Sequence, residues 1–318
     1  MRNLSHALLL NRFLLHQFGA NSFAAFSEFF NDSRNEGVDD NNISNFYHIL
    51  ITRLFSNAYL NKDILLEYDQ NIIRHTNQIN QDRTEPITWK YFQYLSMLFT
   101  EIYLDKYFSN KYQLLADINT FVDRFNNPLD RDIPSYLKKD VFPEFKIEDL
   151  NKSAFWNATR SRKTLIMHVN ILQCWYYANK YKRHPFENVL LITPNEGLSK
   201  QHLIELEESS ISCEMFDKAG GRMYAQSTVK VLEITKLADE MGDTTVAYES
   251  FEQNNLVLID EGHRGVTGEQ WKRRRDWLST KGLAIEYSAT FGQAVATATR
   301  VADRKSLIEE YGKSTNRL

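Results

Sequence analysis

Two carboxylates and an imidazole close the most apolar run of the chain. Leu256, Val257, Leu258 and Ile259 are consecutive aliphatic residues, the pattern of a strand buried on both faces. Asp260-Glu261-Gly262-His263 follows without a break. A carboxylate pair at the C-terminal end of such a strand lies where open α/β sheets hold their ligands. Well upstream, Ser161-Arg162-Lys163-Thr164 stands at the start of a helical pattern that runs to Tyr181. Phosphate groups meet free N–H groups at a helix N-terminus, so cationic and hydroxyl side chains at that point suit a phosphorylated ligand.

The order of the surrounding motifs narrows this chemistry. Ala158, Thr159, Ser161, Lys163 and Thr164 match the run Ala-Thr-Gly-Ser-Gly-Lys-Thr with both glycines replaced, by Arg160 and Arg162. Val189–Ile192 then leads into Thr193-Pro-Asn195, with Leu198 and Gln201 beyond; the acidic motif follows, and Ser288-Ala-Thr290 closes the strand Leu283–Tyr287. Across residues 146–295 this set resembles superfamily 2 helicases and translocases, and within them the DEAD/DEAH-like group that includes the motor subunits of type I and type III restriction enzymes. The resemblance implies a RecA-like, doubly wound, mostly parallel sheet of the P-loop NTPase type, with ATP and Mg²⁺ as cofactors. It implies DNA, single-stranded or duplex, as partner, and an ATP-dependent translocase serving restriction or phage defence.

The same resemblance assigns roles. Lys163, Thr164 and Ser161, with Arg160 and Arg162, would form the phosphate loop, and Thr164 and Asp260 would hold the metal. Glu261 would orient and deprotonate the attacking water, and His263 would link the nucleotide to the strand-binding surface. Thr193, Asn195 and Gln201 would grip the sugar-phosphate backbone, joined by Thr235 in the loosely matching Lys230–Lys236. Ser288 and Thr290 would relay the nucleotide state.

Two departures set the expected activity. A phosphate loop needs glycine for its dihedrals and for close approach of its backbone to the ligand. A Cβ and long side chain at position 162 would intrude where the phosphates lie, so ATP binding and hydrolysis are expected to be impaired. Residues after Thr290 bear no likeness to a second RecA-like domain, and a tail is expected from Val301. A second motor domain, or restriction and modification subunits, would then act in trans. The alternatives are a non-catalytic module binding nucleic acid or protein, and a truncated inactive product.

The elements that must position these residues fall into two regions. Residues 1–135 read as a helical domain, with apolar residues at spacings of three and four in Leu4–Phe18, Phe46–Leu60, Ile64–Ile79, Trp89–Phe108 and Lys111–Phe125. Aromatic residues at that spacing read as core. Residues 136–300 alternate apolar runs, Val189–Ile192, Val229–Ile234, Leu256–Ile259 and Leu283–Tyr287, with helical patterns at Thr164–Tyr181, Leu198–Glu207 and Glu269–Leu278. That alternation predicts a parallel α/β sheet. Residues 301–318 are the expected tail. In the Trp271–Trp277 run, helical geometry places Trp271, Arg274 or Arg275, and Leu278 along one stripe with basic residues solvated beside it, and Tyr181–His184 reads as a helix end whose cations complement the dipole.

Composition excludes some classes. A net charge of −3 rules out a wholesale basic coat, leaving only local phosphate-binding patches. Cys174 and Cys213 lack CxxC partners, which argues against a structural zinc site or a disulfide scaffold. Asn11, Arg12, His16 and Gln17 interrupt the apolar N-terminal run, so neither a leader nor a membrane span is expected and the protein reads as cytoplasmic.

Overall fold

Successive side chains along the central strands enter two different apolar clusters, one on each face of a parallel sheet. The computed structural model describes residues 4–20, 22–53, 58–127, 141–158, 161–217, 227–261 and 269–317. The boundary expected near residue 135 lies outside them. The strands are β1 (Lys152–Trp156), β2 (Asn188–Thr193), β3 (Cys213–Met215), β4 (Val229–Glu233), β5 (Leu237–Ala238), β6 (Val246–Ala247), β7 (Asn255–Asp260), β8 (Leu283–Ser288) and β9 (Thr315–Arg317). Seven of them form one sheet in the order β3-β4-β2-β7-β8-β1-β9, while β5 and β6 make a separate pair. Every pairing in the large sheet is parallel. This is the parallel α/β sheet that the strand–helix alternation predicts, and it is consistent with the RecA-like type that the resemblance implies.

Val189, Leu191, Leu256, Leu258, Leu283, Ile285 and Tyr287 enter one apolar cluster. Leu190, Ile192, Val257, Ile259 and Ala284 enter another on the opposite face. Strands apolar at every position are thus explained by cover on both sides. The first face takes α6 (Lys163–Lys180) and α7 (Glu196–Glu208), and the second takes α8 (Glu269–Leu278) through Trp271 and Leu278. The chain continues through α9 (Phe291–Thr297) and α10 (Val301–Ser314).

The N-terminal region is helical: α1 (Leu9–Gln17), α2 (Phe23–Ser27), α3 (Asn45–Arg53), α4 (Lys62–Asn80) and α5 (Tyr91–Asn126). Asn61 caps α4 by accepting the N–H of Ile64 at 2.9 Å. Helix α5 bends at Asn110, whose φ of −153° and ψ of 91° are not helical. Arg183 donates to the carbonyls of Phe108 and Ser109 at 2.7 and 2.8 Å, satisfying acceptors that the bend leaves open. The helices pack on α6, so their aromatic residues share the first face's apolar cluster.

One expectation is corrected. Residues 301–317 are not a tail: α10 and β9 complete the sheet beside β1. Leu307, Ile308 and Tyr311 form the stripe that packs inward, and Lys313 pairs with Asp149 at 2.9 Å. In the basic run, Arg275 is the arginine that lies on the buried stripe with Trp271 and Leu278, bonded to Glu286 on β8 and Glu310 on α10. Arg274 binds Asp239 at 2.9 Å, and Lys272 and Arg273 are exposed.

Gly282, where the chain enters β8, allows a close strand approach. A Cβ there would lie 2.1 Å from the carbonyl oxygen of Asn255. Gly282→Ala is therefore expected to cost about 1–3 kcal/mol by forcing the backbones apart. A urea melt showing less than half the lower figure would mean that the strand ends can part freely.

Among the described residues, no helix is long and apolar enough to cross a membrane. Cys174 and Cys213 are free thiols.

Candidate functional site

Because the strands are parallel, the ends of β1, β2, β7 and β8 share one edge of the sheet, and each carries one sequence motif. β8 lies between β1 and β7, with Ser288 opposite Trp156 and Tyr287 opposite Asp260. The turn after β8 thus separates the loop that follows β1 from the acidic end of β7.

That loop turns into α6 through Arg162, whose φ of 57° and ψ of 42° are left-handed. Glycine reaches this region freely, whereas a side chain there costs roughly 1–2 kcal/mol. The arginine has kept the backbone shape that glycine would take, and its side chain is exposed. The intrusion expected at position 162 is thus carried here as backbone strain. Arg160 and Thr159 lie outside the described residues. Ser161 is buried, its carbonyl accepts from Gln93 Nε2 at 2.8 Å, and its hydroxyl has no hydrogen-bond partner. Thr164 lies half-buried in the first turn of α6.

Lys163 crosses to the acidic strand end. Its Nζ donates to Glu261 Oε1 at 2.7 Å, with the side chains 12% and 24% exposed. Glu261 also has a left-handed φ of 51°, and its N–H binds Asp260 Oδ1 at 2.9 Å. Left-handed backbone at Arg162, next to Lys163, and at Glu261, which Lys163 reaches, is strain of the kind found at functional sites. Asp260 Oδ2 lies 3.0 Å from Nε2 of His202, a buried residue of α7. Burial alone would raise the Asp260 carboxyl, but the hydrogen bond and charge of His202, with Lys163 nearby, hold it below the usual carboxylate range.

The remaining candidates have separate surroundings. Thr193 is buried at the end of β2, its hydroxyl 2.5 Å from that of Ser199. Asn195 is exposed and caps α7 by accepting the N–H of Leu198 at 2.9 Å. Gln201, also exposed, donates to Glu205 on the same helix at 2.7 Å. Ser288 is buried and accepts the N–H of Thr290 at 3.0 Å. Thr235 donates to Glu233 at 2.7 Å in the turn after β4. His263 lies outside the described residues.

The sequence reading missed His202 and Gln93. His202 stands four residues after Leu198 and four before the buried Leu206, so its spacing placed it on the inward stripe of α7. Gln93 carried no comparable signal, because its partner is a loop carbonyl in a distant part of the chain.

The donor set suits a nucleoside triphosphate with its metal. The N-terminus of α6, Lys163 and the unpartnered Ser161 hydroxyl offer positive charge and donors, and Thr164 with Asp260 offers hard oxygens of the kind Mg²⁺ prefers.

A family model described as "Type III restriction enzyme, res subunit" matches residues 109–293 of the 318. No curated protein matches the chain. Among solved structures, it is similar to the UvsW helicase from Bacteriophage T4, at 13% identity and a TM-score of 0.35. That similarity covers 53% of this chain and 54% of the helicase chain, so the chain spans about half the length of the structure it matches.

Proposed function

This chain belongs to the type III restriction enzyme res subunit family, and we propose that it is the first motor half of an ATP-dependent DNA helicase or translocase of restriction type, working in the cytoplasm with weakened ATP binding. The observation that carries this reading is the Lys163–Glu261 ion pair, which joins the loop after β1 to the acidic end of β7. Lys163 and the N-terminus of α6 would bind the phosphates. Thr164 and Asp260 would hold Mg²⁺, which when bound neutralises phosphate charge. Glu261 would orient a water and take its proton, a role open to it only after Lys163 turns toward phosphate. The native ion pair opposes nucleotide entry, and the Cβ at Arg162 limits the close approach of the loop to phosphate that glycine would allow. DNA would pass over the exposed N-terminal turn of α7 at Asn195 and Gln201. A second motor domain, or restriction and modification subunits, would act as partners in trans.

Equilibrium titration with a fluorescent ATP analogue and Mg²⁺ tests this directly. Arg160→Gly with Arg162→Gly is expected to tighten binding about tenfold, the equivalent of about 1.4 kcal/mol of relieved obstruction. Lys163→Met in that background should abolish it. A folded, reverted chain without measurable affinity would remove the nucleotide reading. A non-catalytic nucleic-acid module would then be favoured by salt-sensitive oligonucleotide binding that ignores ATP.

A further inference from the structure

Helix α7 presents different chemistry on its two faces. Asn195 and Gln201 lie outward, where the proposed DNA contacts are. One residue beyond Gln201, His202 faces inward, 3% exposed, with Nε2 3.0 Å from Asp260 Oδ2. Opposite an ionised carboxylate, that nitrogen is the donor. The other Asp260 oxygen accepts the N–H of Glu261 at 2.9 Å. The carboxylate is therefore gripped once from its own strand end and once from α7.

An imidazole is a costly choice for this position. Its Nδ1 is buried without a hydrogen-bond partner. A leucine would continue the stripe shared with Leu206 and bring no unsatisfied polar atom of its own, but it would take this donor from Asp260 Oδ2. A second buried imidazole, His168 on α6, makes a different bond, with Nδ1 2.8 Å from the Ser209 hydroxyl. Of the two, only His202 reaches the acidic motif. Its place is explained by what it holds rather than by packing.

We propose that His202 is a positioning residue, which sets the Asp260 carboxylate for the metal-bound nucleotide and ties it to the helix whose outer turn would meet DNA. The inference rests on the nucleotide reading above. Partners that orient a metal-binding carboxylate act through geometry, and their loss weakens metal binding without removing a ligand. Helices move as units, so DNA seated on the first turn of α7 would carry His202 with it and change its hold on Asp260. The DNA and nucleotide sites would then be joined by a single hydrogen bond through the core.

Affinity for the fluorescent ATP analogue, with Mg²⁺ and with EDTA, tests the role in both the native and the doubly reverted loop. His202→Leu is expected to cut the gain conferred by Mg²⁺ about tenfold or more, while affinity in EDTA stays within about twofold. His202→Gln, which keeps an N–H within reach, should restore most of that gain. His168→Leu should destabilise the fold and leave the Mg²⁺ gain intact. If His202→Leu fails to fold, His202→Asn, too short to reach, replaces it in the comparison with His202→Gln. An unchanged Mg²⁺ gain without the His202 donor overturns the positioning role and leaves the nucleotide reading standing. Absence of analogue binding in both loop backgrounds overturns both.

Discussion

Arg275→Met lowers the free energy of unfolding by about 3–5 kcal/mol in urea denaturation at neutral pH, the cost of stranding buried charge. The guanidinium is 2% exposed and bonds Glu286 on β8, Glu310 on α10 and, at 2.9 Å, Asp276 on its own helix. Methionine fills the space of the stem but leaves Glu286 buried with nothing to balance it. One oxygen of Glu286 already lacks a hydrogen-bond partner. The two carboxylates respond differently to the same arginine. Burial pushes the fully enclosed Glu286 up despite Arg275. Burial also raises Glu310, but Arg275, Lys152 and Lys272 together overcome it and hold that carboxyl down to about 2. Glu310 therefore adds stability that is present above the ordinary carboxylate pKa and lost as pH falls toward about 2. Arg275→Met with Glu286→Met should recover most of the loss, since an apolar replacement of a buried pair is often neutral. A single-variant cost below about 1 kcal/mol would show that the cluster does not anchor α8 and α10 to the sheet.

The edge that carries the candidate site was legible because it is written in short, local runs. β7 is apolar from Leu256 to Ile259 and β8 from Leu283 to Ile285, and both end in polar residues, so the strand, its direction and the place of Asp260, Glu261 and Ser288 follow together. Lys163 was legible for the same reason, at the head of a long helical pattern. What stayed hidden depends on pairing between distant segments. β1 carries no long apolar run, and its place between β8 and β9 comes from the sheet order. β9 is Thr-Asn-Arg, which has no strand pattern and becomes a strand only by pairing with β1. Arg275 stands among four consecutive cations, and its burial follows from Glu286 and Glu310 arriving from other elements. The backbone of the loop after β1 was hidden too: the replaced glycines pointed to a side chain intruding on the ligand, and they did not show that Arg162 would adopt the left-handed backbone.

Glu101→Gln should stabilise the chain by about 3 kcal/mol at pH 8 and flatten its pH dependence between pH 5 and 8. Glu101 is fully enclosed between α4, α5 and α6, where burial raises its carboxyl to about 7. Asn71 donates to both oxygens at 2.9 and 2.7 Å, Gln173 to one and Tyr177 to the other, both at 2.5 Å. These donors favour the charged form but do not offset its desolvation. The folded state thus keeps a proton that the unfolded chain releases near 4.5. Stability from this group is complete below that value and is lost as pH rises to about 7. Glutamine preserves shape, can accept from Asn71 and Gln173 and can donate to the Tyr177 oxygen, so it removes the charge with little loss of bonding. Gln173 and Tyr177 belong to α6, whose first turn carries Lys163 and Thr164, so the pH dependence bears on the helix that would hold the nucleotide. Urea midpoints across that range make the comparison. Parallel curves for the variant and the native chain would place the titrating group elsewhere, and a less stable variant at pH 8 would show that Glu101 is held ionised.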